Sequence, residues 1–377
     1  MAPAARRTTL DVRLPAPELG IWLARLLVVK LMFLSGATKL LSFDATWWDL
    51  SALEVHYFTQ PLPMATSWWA HQLPAALHKT SVAIMFAIEL VAPWLVFCGR
   101  RARGAAFVAL ALLQLAIAAT GNYGFFNLLT LVLCVSLLDD RHLRPMFRRP
   151  RSRRHDASAA RPGLVGKVRL ALAAVLLIAS LGVFAREIVR TPPSTALSPS
   201  QRIWVGRLDR AIVGPTRPLL SVVAPFRSIN GYGLFRAMTL ERPEIVIEVG
   251  SGEEWRALEF RYKPGLLESR PRLVAPHQPR LDWQMWFAAL GPRSAGWLGP
   301  LSLRLLEGEP SVWALLDEGG VPEPLPEELR LRYFSYEFTT PLDRRRTGQW
   351  WKRELIGELS AAMTAAELRR FLRQGIQ

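Results

Sequence analysis

The chain is nearly without cysteine. Cys98 and Cys134 are the two thiols in 377 residues, and both fall in apolar stretches. A disulfide framework is thereby excluded, and so is thiol–disulfide exchange by the cysteine-free second half. No Cys/His pair has the spacing of a zinc site, and no G-x-S-x-G turn offers a serine nucleophile. His56, His71 and His78 share one segment, but their spacing fits no metal motif. Acidic residues are scarce beside basic ones, 31 against 47, for a net charge of +16. Spread evenly, that excess would suggest a nucleic-acid partner. Its positions argue against one. About ten basic residues lie between Arg141 and Arg169, and Arg100, Arg101 and Arg103 form a second cluster. Each cluster abuts long apolar runs, where basic residues set topology and meet anionic lipid. The opening MAPAARRTTLDVRLPAPELG also lacks the short apolar core of a cleavable signal peptide.

What the chain does have is apolar length. Half its residues are hydrophobic, yet the mean hydropathy is only +0.15. That value averages a greasy first half with a polar second half. Five candidate spans cover 21–41, 81–98, 105–120, 125–138 and 168–184. A crossing needs about 20 residues and at least about 17. The third and fourth runs are short, so they are expected to form a tight hairpin through Gly121-Asn122-Tyr123-Gly124, or a dip that preserves the same sidedness. Arginines fall in alternate connectors: Arg6 and Arg7 before the first span, Arg100 to Arg103 after the second, and the basic connector after the fourth. The positive-inside rule puts these in the cytoplasm. Arg186 and Arg190, on the outer end of the fifth span, count against that assignment.

The fold class expected is an α-helical transmembrane bundle of about five spans, N-in/C-out, followed by a soluble α+β domain with a small antiparallel sheet. Its parts are a cytoplasmic lead (1–20), a transmembrane domain (21–186) with an outer loop (43–80) and a cytoplasmic basic loop (139–167), a linker (187–200) and a non-cytoplasmic domain (201–377). In the outer loop, Trp47, Trp48, Trp68 and Trp69 read as an interfacial aromatic belt. Pro61, Pro63 and Pro74 divide the loop into short helices. Near mid-span, Lys30 and Glu89 are expected to pair, because an isolated charge there is costly. Arg25 and Lys39 sit near span ends and can snorkel.

Beyond the linker, 201–227 is expected to pack along the membrane. Strands are predicted at 233–239, 244–249, 255–263, 329–339 and 350–358, making a sheet with one covered face. Short helices are predicted at 281–290, 300–307 and 311–316, and an amphipathic one at 363–373 with Thr364 as N-cap and Glu367 closing a capping box. The aromatic run Asp282, Trp283, Gln284, Met285, Trp286, Phe287 either fills the core or lines an exposed groove for an apolar client. His277 with Asp282 has no accompanying nucleophile.

Several blocks resemble the lipase maturation factor family: LMFLSGATKLLS (31–42), TWWDLSALEVHYFTQPLP (46–63), WWAHQLP (68–74), GNYGFFNLLT (121–130), NGYGLF (230–235), RPEIVIE (242–248), EFRYKPG (259–265) and APHQPRLDWQMWFAAL (275–290). The resemblance implies a multi-span protein that helps secreted lipases mature, resident in the endoplasmic reticulum membrane in animals. It supplies no established catalytic residues. Family members usually carry further spans before the block near Leu31, where this chain has a short polar lead. The Arg/Ala-rich composition suggests a bacterial source, which makes the inner membrane the expected location. SGATKLL with Trp47 is also similar to a helix end in vitamin K-dependent carboxylase-like membrane proteins, where a lysine at the position of Lys39 is the base.

The function expected is a membrane-anchored maturation or folding factor for exported proteins, lipases among them. The alternatives are a membrane enzyme using Lys39 with Glu89, and a structural anchor for a client-binding domain. Candidate client contacts are His56, Tyr57, Gln60, Trp68, Trp69, His71, His277, Asp282, Trp283 and Trp286, placed on one side of the membrane by the topology. The partners expected are membrane lipids and an exported client, with no nucleic acid, no metal and no cofactor.

Overall fold

A computed structural model describes residues 18–143, 164–193, 195–226, 229–292, 295–317 and 319–374. The expected cytoplasmic lead falls almost wholly outside these, as does most of the basic loop.

The first half is helical. α1 (Glu18–Leu41) carries Glu18 in its first turn and Lys39 in its last, the charge order that suits the helix dipole. Three short helices follow, α2 (Ala45–Trp48), α3 (Ala52–Thr59) and α4 (Ala65–His71). α5 (Ala75–Val91) continues as a 3-10 turn to Phe97. α6 (Arg100–Thr120) and α7 (Phe126–Cys134) form the hairpin around the Gly121–Gly124 turn, and α8 (Asp140–Leu143) and α9 (Leu164–Arg190) complete this half. Among the described residues, four stretches are long and apolar enough to cross a membrane: Glu18–Leu41, Ala75–Phe97, Arg100–Thr120 and Leu170–Arg190. Phe126–Leu137 is apolar but shorter.

The second half begins with a continuous rod, α10 (Pro199–Leu208), a π-helical stretch Asp209–Val213 and α11 (Gly214–Val223), packed against α9. Four strands then make an antiparallel sheet in the order β2-β1-β3-β4, with β1 Pro243–Ser251, β2 Glu254–Ala257, β3 Glu328–Phe338 and β4 Trp351–Thr364. Between β2 and β3 come α12 (Arg280–Leu290), α13 (Leu298–Leu306) and α14 (Pro310–Trp313). α15 (Pro341–Thr347) links β3 to β4 with Thr340 as N-cap, Pro341 at its first turn and Gly348 left-handed at φ 77° behind it. α16 (Ala365–Gln374) starts at the predicted Thr364–Glu367 capping box.

The sheet departs from expectation in three ways. The strand predicted at 255–263 is confined to Glu254–Ala257. Residues 233–239 are not a strand. Their polar groups bond back to the bundle instead, with Trp47 Nε1 donating to Phe235 O (3.2 Å) and Met238 N to Asp44 Oδ2 (2.7 Å). Both faces of the sheet are also covered. Leu329, Leu331 and Tyr333 point into the core with Ile245, Ile247, Met285, Leu305 and Trp313. Phe334, Tyr336 and Phe338 take the opposite face, and with Val246 they pack on Tyr57, Phe58 and Trp68 of the 43–80 loop. Successive strand residues alternate faces, so the change from odd to even apolar positions in LRLRYFSYEF gives β3 two buried sides.

Candidate functional site

The rim of the bundle holds a buried ion pair, and its partners are not the predicted ones. Lys39 Nζ reaches Glu89 Oε2 at 2.8 Å and Oε1 at 3.0 Å, and donates to Ser35 O at 3.1 Å. Lys30 instead donates to Ser180 Oγ of α9 at 3.0 Å. The expected Lys30–Glu89 pair does not form: Glu89 pairs with Lys39, and Lys30 turns to α9. Gly36 fixes the level: a Cβ there would lie 2.9 Å from Leu90 Cδ2 and 3.0 Å from Glu89 Cβ. All three protons of the Lys39 ammonium are engaged, so it must give up Glu89 or Ser35 before it can act as a base.

Beside this pair lies a buried polar chain. Tyr123 OH donates to Gln60 Oε1 at 2.6 Å and meets His56 Nε2 at 2.7 Å. The hydroxyl has one proton and gives it to Gln60, so His56 Nε2 is the donor in that contact. His56 Nδ1 is left bare and without a partner. Burial, with the Lys39 charge adding to it, pushes the imidazole down to about 4, which keeps it neutral near pH 7. Burial pushes the Tyr123 phenol up. Gln60 Nε2 shares its two protons among Tyr57 O, Ser67 Oγ and Thr120 O, joining α3, α4 and α6. Phe235 meets the rings of His56 and Tyr123 edge-on at 5.1 and 5.7 Å.

Several groups then bolt the sheet domain to the bundle. Arg242, wholly buried, donates to Phe58 O, Gln60 O and Pro61 O, and ion-pairs with Glu244 at 2.7 Å. Lys263 closes on the other oxygen of Glu244 at 3.0 Å. Trp286 Nε1 donates to Thr59 O at 3.0 Å. Asn122 donates to Arg272 O and accepts from Val274 N and Ala275 N at 2.8 to 3.1 Å. Gln72 Nε2 donates to Thr339 O at 3.2 Å, and the Arg344 guanidinium lies 5.0 Å from the centre of the Trp68 ring. Asp282 secures α12 from below by accepting Tyr262 N and Lys263 N, while burial pushes its carboxyl up.

The candidate residues therefore divide by exposure. His56, Tyr57, Gln60 and Trp68 are packed into the junction, and Asp282 and Trp286 are buried on the sheet side. His71 is half-buried between Phe58 and Phe338, and Trp283 is half-buried on α12. Trp69 and His277 are exposed, as is Phe287. Of the four loop tryptophans, Trp47 and Trp68 are core residues, while Trp48 and Trp69 remain exposed. An open groove of about 740 Å³ runs beside the junction between Met64 to Thr66 and Ser269 to Leu273, with Arg270 and Arg272 on its wall. Asn122, Tyr123, Arg242, Glu244 and Lys263 escaped the sequence reading as site residues, although each lies inside a quoted block. Among the described residues no group of His, Cys, Asp or Glu is arranged to hold a metal ion.

A bundle of apolar helices with an α+β domain locked onto its loops defines a multi-pass membrane protein with a docked sheet domain. Family comparison is specific at both ends. A lipase maturation factor transmembrane domain model matches residues 1–145, and a lipase maturation factor C-terminal domain model matches residues 228–361. The chain is 35% identical to lipase maturation factor 2 of Homo sapiens, over 97% of this chain and 63% of that protein. It is 35% identical to that of Gallus gallus over 94% and 61%, and 28% identical to lipase maturation factor 1 of Mus musculus over 99% and 65%. The chain belongs to the lipase maturation factor family. It spans a little under two thirds of the length of these relatives. No solved structure matches it.

Proposed function

We propose that this protein is a membrane-anchored maturation factor for exported proteins, lipases among them. The observation that carries this reading is convergence. Seven of the eight sequence blocks that resemble the family contribute to one junction, through Thr59, Trp68, Asn122, Phe235, Arg242, Lys263 and Trp286, and the eighth supplies Lys39 to the ion pair within the bundle. A junction so heavily bonded acts as a positioning device. It holds the 43–80 loop and the 269–290 segment in fixed register while leaving Trp69, His277, Phe287 and the groove wall exposed. Exposed aromatics beside an open, partly basic groove suit an apolar segment of a folding client. The arginine pattern supports placing this surface, and everything after residue 186, on the non-cytoplasmic side: the lumen of the endoplasmic reticulum, or the outer face of a bacterial inner membrane.

The test is a strain lacking the gene, assayed for the activity and amount of each secreted lipase, with co-purification of those lipases on the tagged full chain. Reduced specific activity of at least one lipase, restored by the gene, is the expected result. Normal activity of every secreted hydrolase would overturn the reading.

A further inference from the structure

Residues 199–226 form one unbroken helical rod: α10, the π-helical stretch, α11 and a last turn Ala224–Phe226. Neither family model reaches it, since the matches stop at residue 145 and resume at 228. The rod has three faces. On the first, Thr216 and Leu220 are buried against Ala179, Gly182 and Val183 of α9. The approach is so close that a Cβ on Gly182 would lie 2.5 Å from Thr216 Oγ1. On the second, Pro215, Pro218, Val222 and Phe226 recur at the three- and four-residue steps of a helix stripe, and Val222 and Phe226 are 67% and 76% exposed. On the third, Arg210, Arg217 and Ser221 are exposed, Arg217 ion-paired with Asp209 at 3.1 Å, with Arg202 and Arg207 exposed upstream.

Gly182 belongs to Leu170–Arg190, a stretch of mean hydropathy 2.1 that is long enough to cross a membrane. A helix clasped to that stretch is held at membrane depth, and its outward apolar stripe cannot face bulk water without cost. An amphipathic helix at the headgroup boundary places an apolar face in acyl chains and its arginines at phosphates. Trp204, 69% exposed with the Arg207 guanidinium 5.6 Å above its ring, has the amphipathic character of an interfacial anchor.

We propose that residues 199–226 lie in the membrane interface as an amphipathic helix that binds anionic lipid. The Pro215–Phe226 stripe sits among acyl chains, and Arg202, Arg207 and Arg210 meet the phosphate headgroups. Lipid is the occupant assigned, because the rod is fastened side-on to a span and its third face carries the charge complementary to anionic headgroups.

The test uses the full chain with Cys98→Ser and Cys134→Ala as background, reconstituted in bilayers of phosphatidylcholine alone or mixed equally with phosphatidylglycerol. Val222→Cys, Phe226→Cys, Arg217→Cys and Ser221→Cys are each labelled with an environment-sensitive fluorophore. The expected result is blue-shifted emission at 222 and 226, quenched several-fold more by acyl-brominated lipid than at 217 and 221, where aqueous iodide quenches instead. Brominated phosphatidylglycerol should quench more strongly than brominated phosphatidylcholine, and Arg202→Gln with Arg210→Gln should reduce that preference. Iodide quenching at all four positions would overturn the proposal. So would protection of 222 and 226 from both quenchers, which would assign the stripe to a second copy or another protein. Equal quenching by the two brominated lipids would overturn the anionic assignment.

Discussion

The helix bundle and the sheet domain bury opposite things. In the bundle, Lys39, Glu89, Gln114, Asn127 and Thr130 are inside, while Val108, Leu112, Leu115 and Val132 face outward, each more than half exposed. In the sheet domain, Ile245, Ile247, Met285, Leu305 and Trp313 are inside, and Lys352, Arg353 and Glu354 mark the open edge strand. The inversion follows from the two solvents. Lipid rewards an apolar exterior and gives the interior no hydrophobic drive, so polar contacts hold the helices together. Water reverses both terms. Arg242, Glu244 and Lys263 depart from the sheet domain's rule, and they lie where the two regions meet. At that boundary a buried cation can spend its protons on carbonyls of the other region, which binds the regions more specifically than apolar contact alone.

The comparison breaks most sharply at its buried charges. Glu244→Leu strands Arg242 and Lys263, and Glu89→Leu strands Lys39. Each is expected to cost about 3–5 kcal/mol, read as lower thermal stability of the detergent-solubilised chain. Adding Lys39→Met to Glu89→Leu should recover most of that loss. A double variant as unstable as Glu89→Leu would show that pairing does not hold the rim together.

His56 gives a pH-dependent comparison. Its imidazole titrates near 6.5 when unfolded and near 4 when buried, so the unfolded chain binds the proton first as pH falls. Stability from this group is full above about pH 6.5, declines toward pH 4 and then levels, a change on the order of 3 kcal/mol. His56→Gln should flatten the melting temperature across that window relative to the parent, and an unchanged slope would assign the effect to other groups. Trp286→Phe keeps the ring but removes the donor to Thr59 O, with an expected cost of about 1–3 kcal/mol. Faster protease cleavage between the two regions would accompany it if the bond spans a true junction. Thr364→Ala removes the α16 cap, at about 1 kcal/mol. Its denaturant midpoint should fall while the helix bundle's detergent stability does not.

Composition and spacing made much of this architecture legible. The apolar runs located the long helices, alternation located β1, β3 and β4, and the Thr364–Glu367 spacing located the last cap. The failures share one physical origin. His78, Lys79 and Thr80 read as loop, yet they continue α5 because His78 Nε2 bonds Ala70 O. Glu89 meets Lys39 rather than Lys30, which finds Ser180 on α9. Residues 233–239 have strand-like composition, but their hydrogen bonds go to Trp47 and Asp44 rather than to a neighbouring strand. Arg242 and Asn122 bind backbone groups more than a hundred residues away. Any residue type supplies a backbone carbonyl, so no side-chain pattern could have announced those partners.

The bonds of Arg242, Trp286 and Asn122 have one further consequence. None of them depends on the 191–198 connection between α9 and α10, which serves as a tether and contributes an effective concentration on the order of millimolar. A cut within it should leave two fragments that purify as one particle, and the halves made as separate chains should complement each other.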